Sequence, residues 1–212
     1  MTRIVSFDLD GTLADTAYVN HVWLEAIPRM YAEQNDIPLE EAKNGIIDKY
    51  EQVGQEALEW YDITYWLDVL DLDIGWRDLL TRHVDLLRPY PEVSDVVRRL
   101  HDRYTLIITS NAAREFIDIE TRALGFTDRF AHIFSAVSDF GRTKKHPDVY
   151  REICHRLNAE PDDVVHVGDS YPFDYLAPRE VGITTFYLDR DGSATGDHVV
   201  PDLRAFERHL DK

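Results

Sequence analysis

Two carboxylates, Asp8 and Asp10, stand two residues apart directly after the apolar run Ile4-Val5-Ser6-Phe7. In an extended strand, residues i and i+2 point to one side, so both acids face a common site at the strand's exit. Gly11 lets the backbone turn sharply there. One carboxylate can act as nucleophile and the other as proton donor, with a cation to neutralise them. Paired acids are also common in solvated loops and helix caps, so the weight of this pair comes from three further polar positions. Leu106-Ile107-Ile108-Thr109 runs into Ser110-Asn111, and Val164-Val165-His166-Val167 runs into Gly168-Asp169-Ser170, with Asp174 beyond. Between them lies Gly141-Arg142-Thr143-Lys144-Lys145-His146-Pro147. Ligands of open parallel sheets bind outside the carboxyl ends of the strands, where these exits would converge.

The elements that must position these residues alternate. Strands are expected at 3–8, 104–109, 133–137, 164–168 and 184–188, with helices at 92–102, 112–124, 147–157 and 173–181. A strand-like His198-Val199-Val200 and a closing helix at 202–210 follow. Strands separated by helices of this length argue for crossover units and a parallel α/β sheet. Residues 14–88 break the alternation and read as helices at 18–31, 39–59, 64–70 and 76–87, carrying all four tryptophans. An insertion directly after a catalytic strand exit is well placed to act as a lid. Its aromatic density reads as a second small core, with a substrate-facing aromatic wall as the sharper alternative.

Composition narrows the partners. The 212 residues include 26 Asp and 14 Glu against 18 Arg and 5 Lys, a net charge of −17. That balance disfavours nucleic acid and anionic membrane. It also opposes an anionic substrate at long range, so a local cation must compensate. The Asp excess with scarce Lys resembles the surface of a protein from a salt-loving organism; Arg favoured over Lys by a GC-rich genome is the alternative. Cys154 is the single cysteine, read as a buried helix residue in a reducing cytosol. No apolar run approaches a membrane span, and no leader pattern precedes the first strand. A cytoplasmic monomer or dimer is expected.

Phe7-Asp8-Leu9-Asp10-Gly11-Thr12-Leu13, Thr109-Ser110-Asn111, Lys144-Lys145-His146-Pro147-Asp148-Val149-Tyr150 and Gly168-Asp169-Ser170 with Asp174 resemble, in order, the four motifs of the haloacid dehalogenase superfamily. The resemblance covers nearly the whole chain and points to the capped phosphatases similar to phosphoglycolate phosphatase and β-phosphoglucomutase. It implies a Rossmann-like parallel-sheet core, residues 1–13 and 89–212, with an inserted helical cap, residues 14–88. It further implies Mg²⁺-dependent hydrolysis of a small phosphomonoester through an aspartyl-phosphate on Asp8, with Asp10 as general acid and base. Mg²⁺ would be held by Asp8 and Asp169, by the Asp10 backbone carbonyl, and by Asp174 as a supporting or occasional ligand.

Ser110 and Asn111 would bind phosphate, helped by the start of the following helix. The usual Lys-Pro-x-Pro of the family is here Lys144-Lys145-His146-Pro147. Alignment on Pro147 and Tyr150 gives the charge-stabilising role to Lys144, with Lys145 as the fallback. Glu92 stands where the family commonly has Gly. His166, in a strand, reads as a hydrogen-bonded core residue. Asp10 argues against a dehalogenase, because a halide leaving group needs no proton. A phosphomutase of the same family and a non-catalytic phospho-switch protein remain the alternatives.

Overall fold

The computed structural model describes residues 3–210. Six strands form one parallel sheet: β1 (Ile4–Phe7), β2 (Thr105–Ser110), β3 (His132–Ser135), β4 (Val164–Gly168), β5 (Thr184–Leu188) and β6 (Val199–Val200). Their order is β3-β2-β1-β4-β5-β6, so β1 lies in the interior between β2 and β4. The expected α/β class and parallel sheet are what the chain forms.

Strand alternation divides β1 between two cores. Val5 and Phe7 join a cluster with Val93, Val96, Val97 and Leu100 of helix α6 and with Leu203 and Phe206 of the last helix. Ile4 points the other way, into a cluster with Val149, Tyr150, Ile153 and Cys154. Ser6 shares Ile4's face, and register sets it beside His166 of β4. A polar seam therefore crosses the middle of an otherwise apolar sheet face.

The helices in chain order are α1 (Ala17–His21), α2 (Ile27–Asn35), α3 (Leu39–Val53), α4 (Ile63–Val69), α5 (Trp76–Arg82), α6 (Val93–His101), α7 (Arg114–Ala123), α8 (Ala136–Phe140), α9 (Pro147–Leu157), α10 (Ala177–Arg179) and α11 (Leu203–Leu210). Several bounds differ from expectation for local reasons. A π-helical turn, Val22–Ala26, links α1 to α2. It widens the helix just before Pro28, which has no N–H and whose ring crowds the carbonyl four residues back. Helix α3 stops at Val53, not 59, because Gly54 takes φ +79°. The segment expected as a helix over 173–181 begins as a π-helical turn, Tyr171–Leu176, before α10. The last expected strand residues, 136 and 137, instead start α8, whose Ser135 cap accepts from the Ser138 N–H.

The helices between β1 and α6 share their own core. Tyr18, Val22, Ile46, Ile63, Trp66 and Leu79 pack together and onto Phe116 and Ile119 of α7. The chain leaves and re-enters the sheet region at one joint, where Ala14 bridges Pro89 and the Asp15 N–H donates to the Arg88 carbonyl at 3.0 Å. No helix among the described residues is long and apolar enough to cross a membrane.

Candidate active site

Asp8 leaves β1 with its N–H donating to the Val167 carbonyl (3.0 Å), which fixes it against the neighbouring strand. Its carboxylate is 6% exposed. Lys145 Nζ donates to Asp8 Oδ1 at 2.5 Å and to the Thr109 carbonyl at 3.1 Å, and lies 2.5 Å from Asp174 Oδ1. The ammonium is thus shared by two acids from two strand exits. Burial alone would push the Lys145 pKa down, but Asp174 and Asp8 more than offset this, and the group is held well above its ordinary value.

This geometry corrects the assignment to Lys144. The Asn111 Oδ1 accepts from the Lys145 backbone N–H (2.7 Å), pinning that residue with its side chain inward. The segment bends at Thr143 and Lys144, and the Lys144 carbonyl accepts from the His146 N–H at 2.9 Å. Lys144 consequently points away from Asp8. Its ammonium lies over the rings of Tyr61 (5.1 Å) and Phe173 (5.8 Å). Asn111, expected to bind phosphate, spends its carbonyl oxygen on this lysine backbone. Helix α7 starts at Arg114, two residues later than expected, and the Arg114 N–H is taken by Ser138 Oγ at 2.9 Å. Ser110 Oγ accepts from the Ala112 N–H (3.0 Å), which leaves its hydroxyl hydrogen to donate.

Asp174 is fully buried. Its Oδ1 accepts from Lys145 and pairs with His166 Nε2 at 3.0 Å, and its Oδ2 accepts from the Ser170 N–H at 3.0 Å. Burial would raise its pKa, yet Lys145 and His166 hold it far below the carboxylate range. His166 continues the seam, its Nδ1 meeting Ser6 Oγ at 2.8 Å, and Ser6 Oγ meets Thr109 Oγ1 at 3.0 Å. Burial lowers the His166 pKa. His166 is therefore the hydrogen-bonded core residue expected of it, and it orients Asp174.

Asp8, Asp169 and Asp174 offer carboxylate oxygens within 4.8 Å of one another. Asp169 is exposed, and Thr12 Oγ1 donates to its Oδ1 at 3.4 Å. Gly11, at φ +82°, makes room for it, since a Cβ there would stand 2.2 Å from Asp169 Oδ2. Burial and the neighbouring acid Asp174 push Asp8 well above its ordinary pKa, and partial loss of solvent on its inner side together with Asp174 raises Asp169, with Lys145 opposing both. Surplus negative charge on hard oxygen donors is what a divalent cation such as Mg²⁺ neutralises. The donor set therefore fits a metal ion. Asp174 is the least free of the three, because Lys145, His166 and Ser170 already occupy its oxygens.

Asp10 faces a partner that the sequence reading missed. Asp10 Oδ1 and both carboxyl oxygens of Glu120 are buried with no donor from any other described group. Burial, then the charge of Asp10, pushes Glu120 well above its ordinary pKa. A proton held on Glu120 would bridge the two acids, whose buried oxygens otherwise have no partner among the described groups. Burial raises Asp10 to about 6, with the Glu120 hydrogen bond opposing. The sequence signal was available: Glu120 follows Phe116 and Ile117 by four and three residues, so it shares their apolar stripe on α7.

A second missed residue is Arg190. Its Nη1 donates to Glu92 Oε1 (2.8 Å), its Nη2 to the Thr12 carbonyl (2.9 Å), and its plane covers the Tyr90 ring at 3.5 Å. Glu92, at the position that departs from the family pattern, is the anchor of this clamp on the Gly11–Thr12 turn.

A cavity of ≈ 310 Å³ opens beside Asp10 and Asn111, between α7 and the inserted helices.

An acid cluster at the carboxyl ends of two adjacent parallel strands, holding a buried lysine, defines a hydrolase of the α/β type with an inserted helical unit. The chain belongs to the haloacid dehalogenase-like hydrolase family, which it matches over residues 2–182. It is 27% identical to a glyceraldehyde 3-phosphate phosphatase of Pyrococcus furiosus, over 95% of this chain and 90% of that protein. The fold is shared with a haloacid dehalogenase-like phosphatase of Thermococcus onnurineus (TM-score 0.84, 24% identity, 98% of this chain and 97% of that one). It is shared more distantly with a 2-haloacid dehalogenase of Pseudomonas syringae (TM-score 0.70, 22% identity, 100% and 99%).

Proposed function

We propose that the protein is a Mg²⁺-dependent phosphatase that hydrolyses small phosphomonoesters through an aspartyl-phosphate on Asp8. The observation that carries this reading is the division of labour between two acids two residues apart. Asp8 is paired with the Lys145 ammonium at 2.5 Å, which opposes the rise that burial imposes on its pKa, whereas Asp10 lines the neighbouring cavity and, at a pKa of about 6, can hold a proton near neutral pH. A pair of carboxyl groups whose environments differ in this way can serve as nucleophile and general acid.

In the first step Asp8 Oδ attacks phosphorus, and the bond to the ester oxygen breaks as Asp10 delivers a proton to that oxygen. In the second, Asp10, now ionised, takes a proton from water, which attacks the phosphorus of the aspartyl-phosphate and frees Asp8. Lys145 stabilises charge on the phosphoryl oxygens and on Asp8, and the Ser110 hydroxyl donates to a phosphoryl oxygen. A bound Mg²⁺, held by Asp8, Asp169 and the Asp10 carbonyl, supplies neutralisation of the anionic reactants. Asp174 positions Lys145. Residues 14–88 act as a cap over the site, excluding bulk water. Asp10 also separates the protein from dehalogenases such as the one sharing its fold, whose leaving group takes no proton. A net charge of −17 supports a small metabolite as partner rather than nucleic acid or anionic membrane, in a cytoplasmic setting.

The test is release of inorganic phosphate from a panel of phosphomonoesters, with and without Mg²⁺, at low and high salt, beside Asp8→Asn. Metal-dependent release abolished in Asp8→Asn is expected. Absence of release under every condition would sink the reading.

A further inference from the structure

A leaving group must stand against the acid that protonates it. On the reading above that acid is Asp10, and Asp10 lines the ≈ 310 Å³ cavity. The space that the leaving group enters is therefore this cavity, whose size falls at the low end for ligand pockets, about 300 Å³.

Its walls are aromatic. Trp23 stacks on Phe116 with centroids 5.5 Å apart and planes at 26°, and Tyr50 meets Trp23 edge-on at 5.8 Å. Trp60 tilts against Tyr50 at 6.1 Å, and Tyr61 adds a further ring to the lining. No Lys, Arg or His lines the cavity. Lys144 reaches only the Tyr61 ring, where its charge is already engaged with that ring and with Phe173. The polar side-chain groups in the lining, apart from Asp10, are the amides of Asn20 and Asn111, the indoles of Trp23 and Trp60, and the hydroxyls of Tyr50 and Tyr61, which donate to the Trp23 and Gln55 carbonyls.

A carboxylate or second phosphate placed here would lose its water beside an acid and find no cation among the lining residues. An uncharged ring would bury its apolar surface against the Trp23, Trp60 and Phe116 side chains. We propose that the aromatic cavity beside Asp10 selects phosphomonoesters whose alcohol carries an uncharged, planar aromatic group, with Trp23, Trp60 and Phe116 as the selecting walls. The inference rests on the phosphatase reading of Asp8 and Asp10.

Benzyl phosphate and phosphoglycolate are both primary alkyl esters, so they differ chiefly in what they place in the cavity. With Mg²⁺, kcat/KM for benzyl phosphate should exceed that for phosphoglycolate by at least about tenfold, equivalent to about 1.4 kcal/mol. Leu24, which lines the cavity and is 46% exposed, can accept a long side chain. Leu24→Arg should narrow or invert the ratio by supplying the missing cation. Phosphoglycolate turned over as fast as benzyl phosphate by the wild type would overturn the inference and leave the phosphatase reading standing. Should neither ester release phosphate, the phosphatase reading falls, and tryptophan fluorescence then tests the cavity by itself. Benzylphosphonate binding at least about tenfold more tightly than methylphosphonate would support an aromatic-selective cavity, and equal affinities would overturn it.

Discussion

Replacing Lys145 by Met removes one ammonium and little volume from a position that is 1% exposed. Asp8 and Asp174, each 2.5 Å from that ammonium, lose the cation they share. Removing one partner of a buried ion pair costs about 3–5 kcal/mol when the charge left behind stays ionised. Asp8 has an escape, since its pKa is already raised and it can take a proton. The lower end, about 3 kcal/mol, is therefore expected, which for a chain of this size is a Tm lower by about 6–12 °C. Catalysis should suffer more, because a protonated Asp8 is no nucleophile and the phosphoryl charge loses a donor. A fall in kcat/KM of about 100–1000-fold follows, and the residual activity should climb with pH as Asp8 is forced to ionise. Lys144→Met is the matched control. It gives up only cation–π contacts with Tyr61 and Phe173, worth about 0.5–1 kcal/mol at an exposed site. Phosphate release and thermal melts on the two variants decide the matter. Loss of activity in Lys144→Met with Lys145→Met near wild type would refute the reasoning.

Other consequences concern the acids and their supports. Glu120 has a folded pKa raised above its unfolded value, so the folded form binds the extra proton and stability declines as pH rises from about 4.5. Glu120→Gln has no proton to retain; its Tm relative to wild type should rise with pH, by at most about 1.4 kcal/mol per unit, and a pH-independent difference would contradict the shared proton. Asp10→Asn should lower kcat by about 100–10,000-fold on an alkyl phosphate, and far less on p-nitrophenyl phosphate, whose leaving group needs no proton; equal losses on both would remove Asp10 from the acid role. Arg190→Met strands the buried Glu92; a double-mutant cycle with Glu92→Gln should return a coupling of about 1–3 kcal/mol, and zero coupling would dismiss the clamp.

How far the sequence reaches is clearest at single residues. The sheet was readable because each strand is a short apolar run closed by a helix, and β1 to β5 fall within two residues of where the pattern puts them. Asp8, Asp10, Ser110 and Asp169 were readable because each terminates such a run. The choice between Lys144 and Lys145 was not, because two adjacent lysines differ only in which way each faces where the segment bends. That is decided by the Asn111 side chain, 34 residues away along the chain. Glu120 and Arg190 act through partners about 100 residues distant along the chain, Asp10 and Glu92. Neither carries a motif of its own, although an acid on the apolar stripe of α7 was a visible anomaly. The helix expected over 18–31 does run through Pro28, with a π-helical turn ahead of it that no residue pattern marked.

The central claim is that phosphate passes through Asp8. Rapid acid quench during turnover of an alkyl phosphate, followed by proteolysis and mass spectrometry, looks for that adduct directly. The account predicts a phosphoryl group on Asp8 that is labile to hydroxylamine and absent in Asp8→Asn. Accumulation should increase in Asp10→Asn with an activated ester, where the acid is not needed to form the intermediate but the base is needed to hydrolyse it. Steady turnover with an unmodified Asp8 under those conditions, or turnover surviving in Asp8→Asn, would contradict it.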